Sequence, residues 1–361
     1  MTYRLKSGIT SWRTSCGQLR VGSRFRNFLL PDQIAGTEIE SLLVDLRFGI
    51  EPTIDTAKYG PALSILADLA LIDKGITPIP HLQQGKSKSA NDLIDTAREN
   101  FQHRFEIESS GSARREHVLD GGTEKLLARQ ELKISIIGEG RYLFSRIAVA
   151  LFTNLLASGF SQSEFKSSTA ISSDAKVEIG DLIGGFFSLG DIGLSKTELL
   201  RKSSAEISLF PLKAMPEREL IISIGPPHPH TQQDSFDRKI PIFVIDFLSG
   251  ELRIGPFIVP GKTPCFSCIL LGEKESGSLT KIESAYFPND FTELCASLAI
   301  TGAGFASLAI AEFSDTGSSS LAGRTINFST ENFLSPQSRN WQRHPGCSCN
   351  WLPADFQLAP R

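Results

Sequence analysis

LKISIIGEGRYLFSRIAVALFTNLL, residues Leu132 to Leu156, changes character twice within a short span. Lys133–Ile137 is a β-rich apolar run, Gly138-Glu139-Gly140 is a glycine turn, and Ile147–Leu156 has the apolar spacing of a helix. Strand, Gly-x-Gly turn and helix open the βαβ units that bind dinucleotides or ATP, where backbone N–H groups and a helix N-terminus face a phosphate. A full G-x-G-x-x-G would need glycine at position 143, which is Leu143, and bulky Tyr142 and Phe144 flank it. The third glycine serves close helix–strand packing, so its loss alone is a mild departure. Beyond Phe160, a weakly β-like Phe165–Ser172 leads to Asp174, the one candidate for a ribose-holding acid. Two readings stay open: a nucleotide site, or a Rossmann-type layer that holds no nucleotide.

Downstream, Leu220–Gly225, Pro241–Phe247, Ile254–Val259 and Arg324–Phe328 read as further strands. PPHPHTQQDS (226–235) reads as a polar loop; its His228 and His230 form an HxH pair without a third nearby ligand. Thr292–Phe313 reads as a long apolar helix rich in small residues, with Cys295 filling core space, suited to close packing or a subunit contact. The most specific signal is Cys265-x-x-Cys268 in GPFIVPGKTPCFSC together with Cys347-x-Cys349 in HPGCSC. Thiolates placed two by two on short turns suit a closed tetrahedral zinc site, which stabilises a fold and leaves no open position for catalysis. A redox CxxC would open a helix after a strand, whereas VPGKTP predicts a tight turn, and it would leave the second pair unexplained.

Upstream, the chain divides into residues 1–82, 83–130 and 131–361. The first part carries short strands at Gln18–Val21 and Asn27–Leu30. A helix capped by Thr37 follows, with Ile39, Leu42, Leu43 and Leu46 on one stripe. A second helix starts at Gly60-Pro61; Leu63, Leu66, Ala67 and Ala70 form its buried face, widened by Ile65, Leu69 and Ile72. This size and mix suggest a winged-helix-like α+β unit. Arg20, Arg24 and Arg26 cluster on the strands, but neither helix has the basic face that a groove-reading helix needs, so nucleic acid is not expected. Residues 83–130 turn polar (QQGKSKSAND, ESSGSARREH) and read as a linker with one docking helix, Ala90–Phe101. Hydrophobic content of 40%, charged content of 21% and a net charge of −3 describe an ordinary globular chain without attraction to nucleic acid or anionic membranes. With six cysteines, four of them in close pairs, and neither a secretory signal nor an uninterrupted apolar run of about 18 residues, a cytoplasmic protein is expected.

Gly255–Cys268, HPGCSC, the Gly138-x-Gly140-Arg141 turn and DAKVEIGDLIGGFFSLGDIGLSK (174–196) together resemble ThiF-like, ubiquitin-activating-enzyme-like proteins. The pattern is most similar to the partner proteins of YcaO cyclodehydratases, which act in making thiazole/oxazole-modified microcins. In those, a winged-helix-like precursor-peptide recognition element precedes a ThiF-like domain with a four-cysteine zinc site. YRLKSGITSW, GQLRVG and the helices after them look like the recognition element, and Leu132–Cys349 like the ThiF-like part. The resemblance implies an α/β, Rossmann-like domain after the N-terminal unit and structural zinc on Cys265, Cys268, Cys347 and Cys349. It places a degenerate nucleotide site at Gly138, Gly140, Arg141, Asp174 and Lys196. The phosphate-binding arginine is replaced, with Gly184 near its place, and LIISIGPPHP stands where the magnesium aspartate would lie, so ATP is not expected. The implied role is to bind a leader peptide by strand addition at Asn27, Phe28, Leu29 and Leu30, with contacts from Leu63, Leu66 and Leu69, and to present it to a YcaO-type protein. A homodimer is compatible with the small-residue helix. The alternative is an ATP-dependent adenylyltransferase acting on a peptide or carrier carboxylate near Gly138–Arg141.

Overall fold

A computed structural model describes residues 3–6, 9–22, 27–31, 37–48, 56–69, 71–74, 108, 123–167, 175–182, 186–208, 216, 218–248, 251–276 and 293–351. The chain forms two units, Met1–Leu127 and Ala128–Arg361. Asp174, Gly184, the Ala90–Phe101 helix and most of the expected linker lie outside the described residues.

The first unit is α+β. Strands β1 (Tyr3–Leu5), β2 (Thr10–Arg13), β3 (Leu19–Gly22) and β4 (Asn27–Leu29) precede helices α1 (Thr37–Phe48) and α2 (Thr56–Asp68) and strand β5 (Ile72–Lys74). β1 pairs antiparallel with β5, and β2-β3-β4 form an antiparallel sheet of three. The stripe expected for α1 is buried: Ile39, Leu42, Leu43 and Leu46 meet Leu19, Val21, Leu63, Leu66 and Ile72 in one core. One boundary differs from the sequence reading. α2 begins before Gly60 and ends at Asp68, and Ile72 belongs to β5, because Leu69 N–H and Leu71 N–H close the helix on Ile65 O and Leu66 O and turn the chain into the strand.

The short helix α3 (Thr123–Ala128) ends the first unit and reaches its boundary, and the second unit runs on into β6 (Leu132–Gly138), α4 (Arg146–Ala157) and β7 (Ser163–Ser167). α5 (Lys196–Ile207), β8 (Arg218–Ile224), α6 (Pro229–Arg238), β9 (Ile242–Leu248), β10 (Glu251–Ile258) and α7 (Phe266–Glu275) follow. α8 (Ala296–Thr316), β11 (Arg324–Phe328) and β12 (Gln337–Asn340) complete the order. The seven-stranded sheet runs β12-β11-β10-β9-β8-β6-β7, with β7, β6, β8 and β9 parallel and the β10–β12 end antiparallel. α4 and α8 pack on one face, where Ile134, Ile136, Phe243, Ile254 and Phe257 meet Ile147, Leu151, Ala303 and Ile310. Ile137, Val244 and Phe266 belong to the opposite core, on the side of α7. α8 has the length and composition of a membrane span, but its Ala299, Ala303, Ala306 and Ile310 are buried against the sheet and α4.

Three local expectations are corrected. PPHPHTQQDS is not a loop throughout: Pro229 stands at the first position of α6 and His228 caps it, its Nδ1 accepting from His230 N–H at 3.2 Å. Cys295 does not fill the core; it caps α8 and is exposed. Cys265 caps α7, so the CxxC does open a helix after a strand, the turn at Val259–Thr263 lying between them. That criterion therefore does not separate metal from redox chemistry here; the geometry of the second pair does.

Candidate functional site

The four cysteines of the two spaced pairs converge. Cys265 Sγ lies 3.7 Å from Cys268 Sγ and 3.5 Å from Cys347 Sγ, and Cys268 Sγ lies 3.2 Å from Cys349 Sγ. All four sulfurs fall within 4.8 Å of one another and are shielded by Phe236 and Leu271. Disulfides would need about 2.0 Å. Thiolates about 2.3 Å from a tetrahedral zinc stand about 3.8 Å apart, in the middle of the observed separations. Burial pushes the Cys265 thiol up and the Cys349 thiol up to about 12, so without a cation these groups hold their protons; a divalent ion reverses that preference. The donor set and its spacing fit a closed four-thiolate metal site.

Its two halves are brought together by the chain around them. Cys268 N–H donates to Cys265 O in the first turn of α7, setting two sulfurs on one side. The later pair is anchored from several directions: Trp341 N–H donates to Gly323 O, the Trp341 indole to Thr325 Oγ1, and the Arg343 guanidinium to Gly261 O. His344 bridges the segments. Its Nδ1 accepts from Gly346 N–H at 3.1 Å, leaving Nε2 to donate to Glu275 Oε1 at 2.8 Å on α7, while Cys347 N–H donates to His344 O. Among the described residues no second group of three or more metal-capable side chains converges, and His228 and His230 stack on each other at 5.1 Å.

The sheet order reverses between β6 and β8, and open α/β folds bind ligands at the C-terminal ends of strands at such a point; the expected crevice would lie there. Gly138 is required there, because a Cβ would meet Leu143 N at 3.0 Å and Ile224 O at 3.1 Å. Gly140 takes a positive φ of 52° in the following turn, which also contains Arg141. Tyr142 lays its ring against Gly225 at the end of β8 and 5.0 Å from the Phe247 ring. Ser145 donates to Tyr142 O at 2.8 Å and does not cap α4 with its side chain. The first N–H of α4, on Arg146, instead donates to Glu293 Oε2 at 3.3 Å, and Glu293 Oε1 accepts from Leu294 N–H at 3.0 Å. The Arg146 guanidinium donates to Leu294 O and Gly180 O. Lys196 is almost buried and its ammonium sits 2.8 Å from Asp181 Oδ1, whose other oxygen accepts from Glu178 N–H.

Gly138, Gly140 and Arg141 were legible as a turn, whereas Tyr142 read only as a bulky departure from the glycine motif. Asp181 and Glu293 were not, because their partners Lys196 and Arg146 are distant in sequence and no local pattern marks a carboxylate that will sit on a helix N-terminus. Of the residues expected to contact a peptide, Asn27, Phe28 and Leu29 form the outer strand β4. Leu30 is buried and its N–H donates to Leu19 O, and Leu63 and Leu66 are buried in the core with Leu69 packed partly against it.

No family model and no curated protein sequence matches the chain. Solved structures do. The Microcin C7 biosynthetic enzyme MccB in complex with N-formylated MccA aligns over 97% of this chain and 99% of its own, with a TM-score of 0.62 and 15% identity. E. coli MccB with ATP aligns over the same shares, with a TM-score of 0.59 and 15% identity. The heterocyclase TruD covers 96% of this chain, which spans only 42% of TruD, at a TM-score of 0.56 and 13% identity. At such identities the likeness establishes the fold: an α/β chain of MccB-like architecture with a mixed seven-stranded sheet and a buried cluster of four cysteines.

Proposed function

We propose that this protein binds the leader of a ribosomally made precursor peptide and presents it to a YcaO-type cyclodehydratase, without adenylating anything itself. The observation that carries the reading is the outer strand β4. Leu30 N–H donates inward to Leu19 O, so by antiparallel alternation Phe28 also faces β3, and the N–H and C=O of Leu29 point away from the sheet. The Leu29 side chain is 44% exposed. A leader would add as a strand along Asn27–Leu29, in the manner of a winged-helix-like recognition element. Leu63 and Leu66, spent on the core, support that strand from behind instead of touching the peptide.

In this reading the second unit is a scaffold, and zinc on Cys265, Cys268, Cys347 and Cys349 holds its last strands and C-terminal turn to the sheet. Lys196, which would serve a nucleotide phosphate, is neutralised by Asp181. A second copy of the chain is the further partner, with Ile300, Phe305 and Leu308 of α8 facing solvent. The test is a titration of the full chain with a fluorescent leader peptide from the precursor gene beside it. Saturable binding is expected, weakened at least about tenfold by Leu29→Pro with the melting temperature little changed, since proline is tolerated on an edge. No saturable binding by the wild type would sink the reading.

The alternative, an ATP-dependent adenylyltransferase, is favoured by the fit of E. coli MccB with ATP over 97% of the chain. Magnesium-dependent ATP binding with pyrophosphate exchange would establish it.

A further inference from the structure

We propose that Glu293 is a built-in anion that occupies the N-terminus of α4 in the place of a ligand's phosphate, closing the crevice from within. The inference rests on the non-adenylating reading above and gives it a physical cause.

The N-terminus of a helix presents unpaired N–H groups and a partial positive charge, and so draws an anion. α4 runs for twelve residues from the glycine turn, and its preceding Ser145 spends its hydroxyl on Tyr142 O. What the helix holds is the Glu293 carboxylate: Oε2 takes the Arg146 N–H and Oε1 the Leu294 N–H. Arg146 fastens this arrangement, its guanidinium gripping Leu294 O beside the glutamate and Gly180 O across from it. Burial pushes the Glu293 carboxyl up, so the fold meets a desolvation cost to keep it there, offset by the two N–H donors and the Arg146 charge. The Tyr142 ring lies separately against Gly225, just past the end of β8. A phosphate oxygen and the Glu293 carboxylate cannot share the same donors, because like charges at hydrogen-bonding distance repel.

The test is calorimetric titration of the full chain with inorganic pyrophosphate at fixed ionic strength. Wild type, Glu293→Gln, Glu293→Ala and Glu293→Asp are compared, with Glu251→Gln as a control for net charge; Glu251 is exposed on β10. The neutral variants are expected to bind pyrophosphate roughly tenfold more tightly than wild type, as vacating a helix N-terminus allows, with Glu293→Asp and Glu251→Gln unchanged. Two neutral variants are used so that one that fails to fold leaves the other to decide. No gain in the folded neutral variant, an equal gain in Glu251→Gln, or wild-type affinity already matching that of the neutral variant would overturn the proposal. Leader titration of the same proteins separates the two ideas: lost peptide binding by wild type counts against the recruitment role, whatever pyrophosphate does.

Discussion

Serine in place of Cys347 would leave three thiols around a centre whose geometry asks for four. Metal analysis of Cys347→Ser should find zinc well below one per chain, against about one for the wild type. The melting temperature should fall on the order of 10 °C, since binding of a structural metal is folding free energy. Zinc should also be held less tightly as the pH falls, because the thiols must ionise to bind it; chelator competition at pH 6 and pH 8 would show this. A different residue predicts the opposite trend. Asp246 on β9 faces Arg253 on β10, and its Oδ1 is sealed from water without a hydrogen-bond partner among the described residues. Burial pushes its carboxyl up against the pull of Arg253, and the buried Glu273 nearby is raised for the same reason while its Oε1 pairs with Arg253 at 2.8 Å. A carboxyl raised in the fold favours the native state when neutral, and that contribution is lost as the pH climbs above its unfolded value. Asp246→Asn should therefore gain stability relative to wild type between pH 5 and pH 8. Melting curves at both ends would check it, and a difference shrinking with pH would refute it.

At the scale of elements, β10 shows how the strand ahead of the cysteine turn is shaped. Its register with β9 shifts between Ile254 and Phe257, and Gly255 in the gap takes a φ of 88°. A Cβ there would run into the backbone carbonyl of Arg324 on β11. Gly255→Ala should cost about 2–4 kcal/mol, from the left-handed backbone and the collision together, and denaturant titration should report it. α6 shows where local reading fails. Of HTQQDSFDR only Phe236 is a large apolar residue, so there is no stripe to see. The helix is held instead by its ends: Pro229 at the start, His228 as cap, and the buried Ser235 hydroxyl donating to Ile240 O beyond a left-handed Lys239. α4 and α1 were legible because their stripes meet a core, and burial of such stripes is what periodicity encodes.

At the scale of the whole molecule, the second unit is tied across its length by two devices. One is the cysteine cluster. The other is Arg129, ahead of β6, whose guanidinium grips both oxygens of Asp315 at the end of α8 at 2.9 and 2.7 Å and also donates to Ser158 O. Both side chains of this pair are buried. Asp315→Ala would strand a buried guanidinium, at about 3–5 kcal/mol, and lower the melting temperature of this unit on the order of 10 °C. Calorimetry with a chelator should likewise shift the transition of residues 128–361, leaving that of the first unit where it was.

From its sequence alone this chain determines strands β3, β4, β6 and β8–β11, helices α1, α2, α4 and α8, the glycine turn after β6 and the two cysteine pairs. Each of these is written in neighbouring residues by period, by turn chemistry or by ligand spacing. Only the tertiary structure decides that the two pairs meet within 4.8 Å, that Lys196 is neutralised by Asp181, and that Glu293 sits on the first N–H of α4. Those are meetings between residues far apart in the chain. They depend on where the sheet brings strand ends and helix termini together, and a one-dimensional pattern carries no record of that.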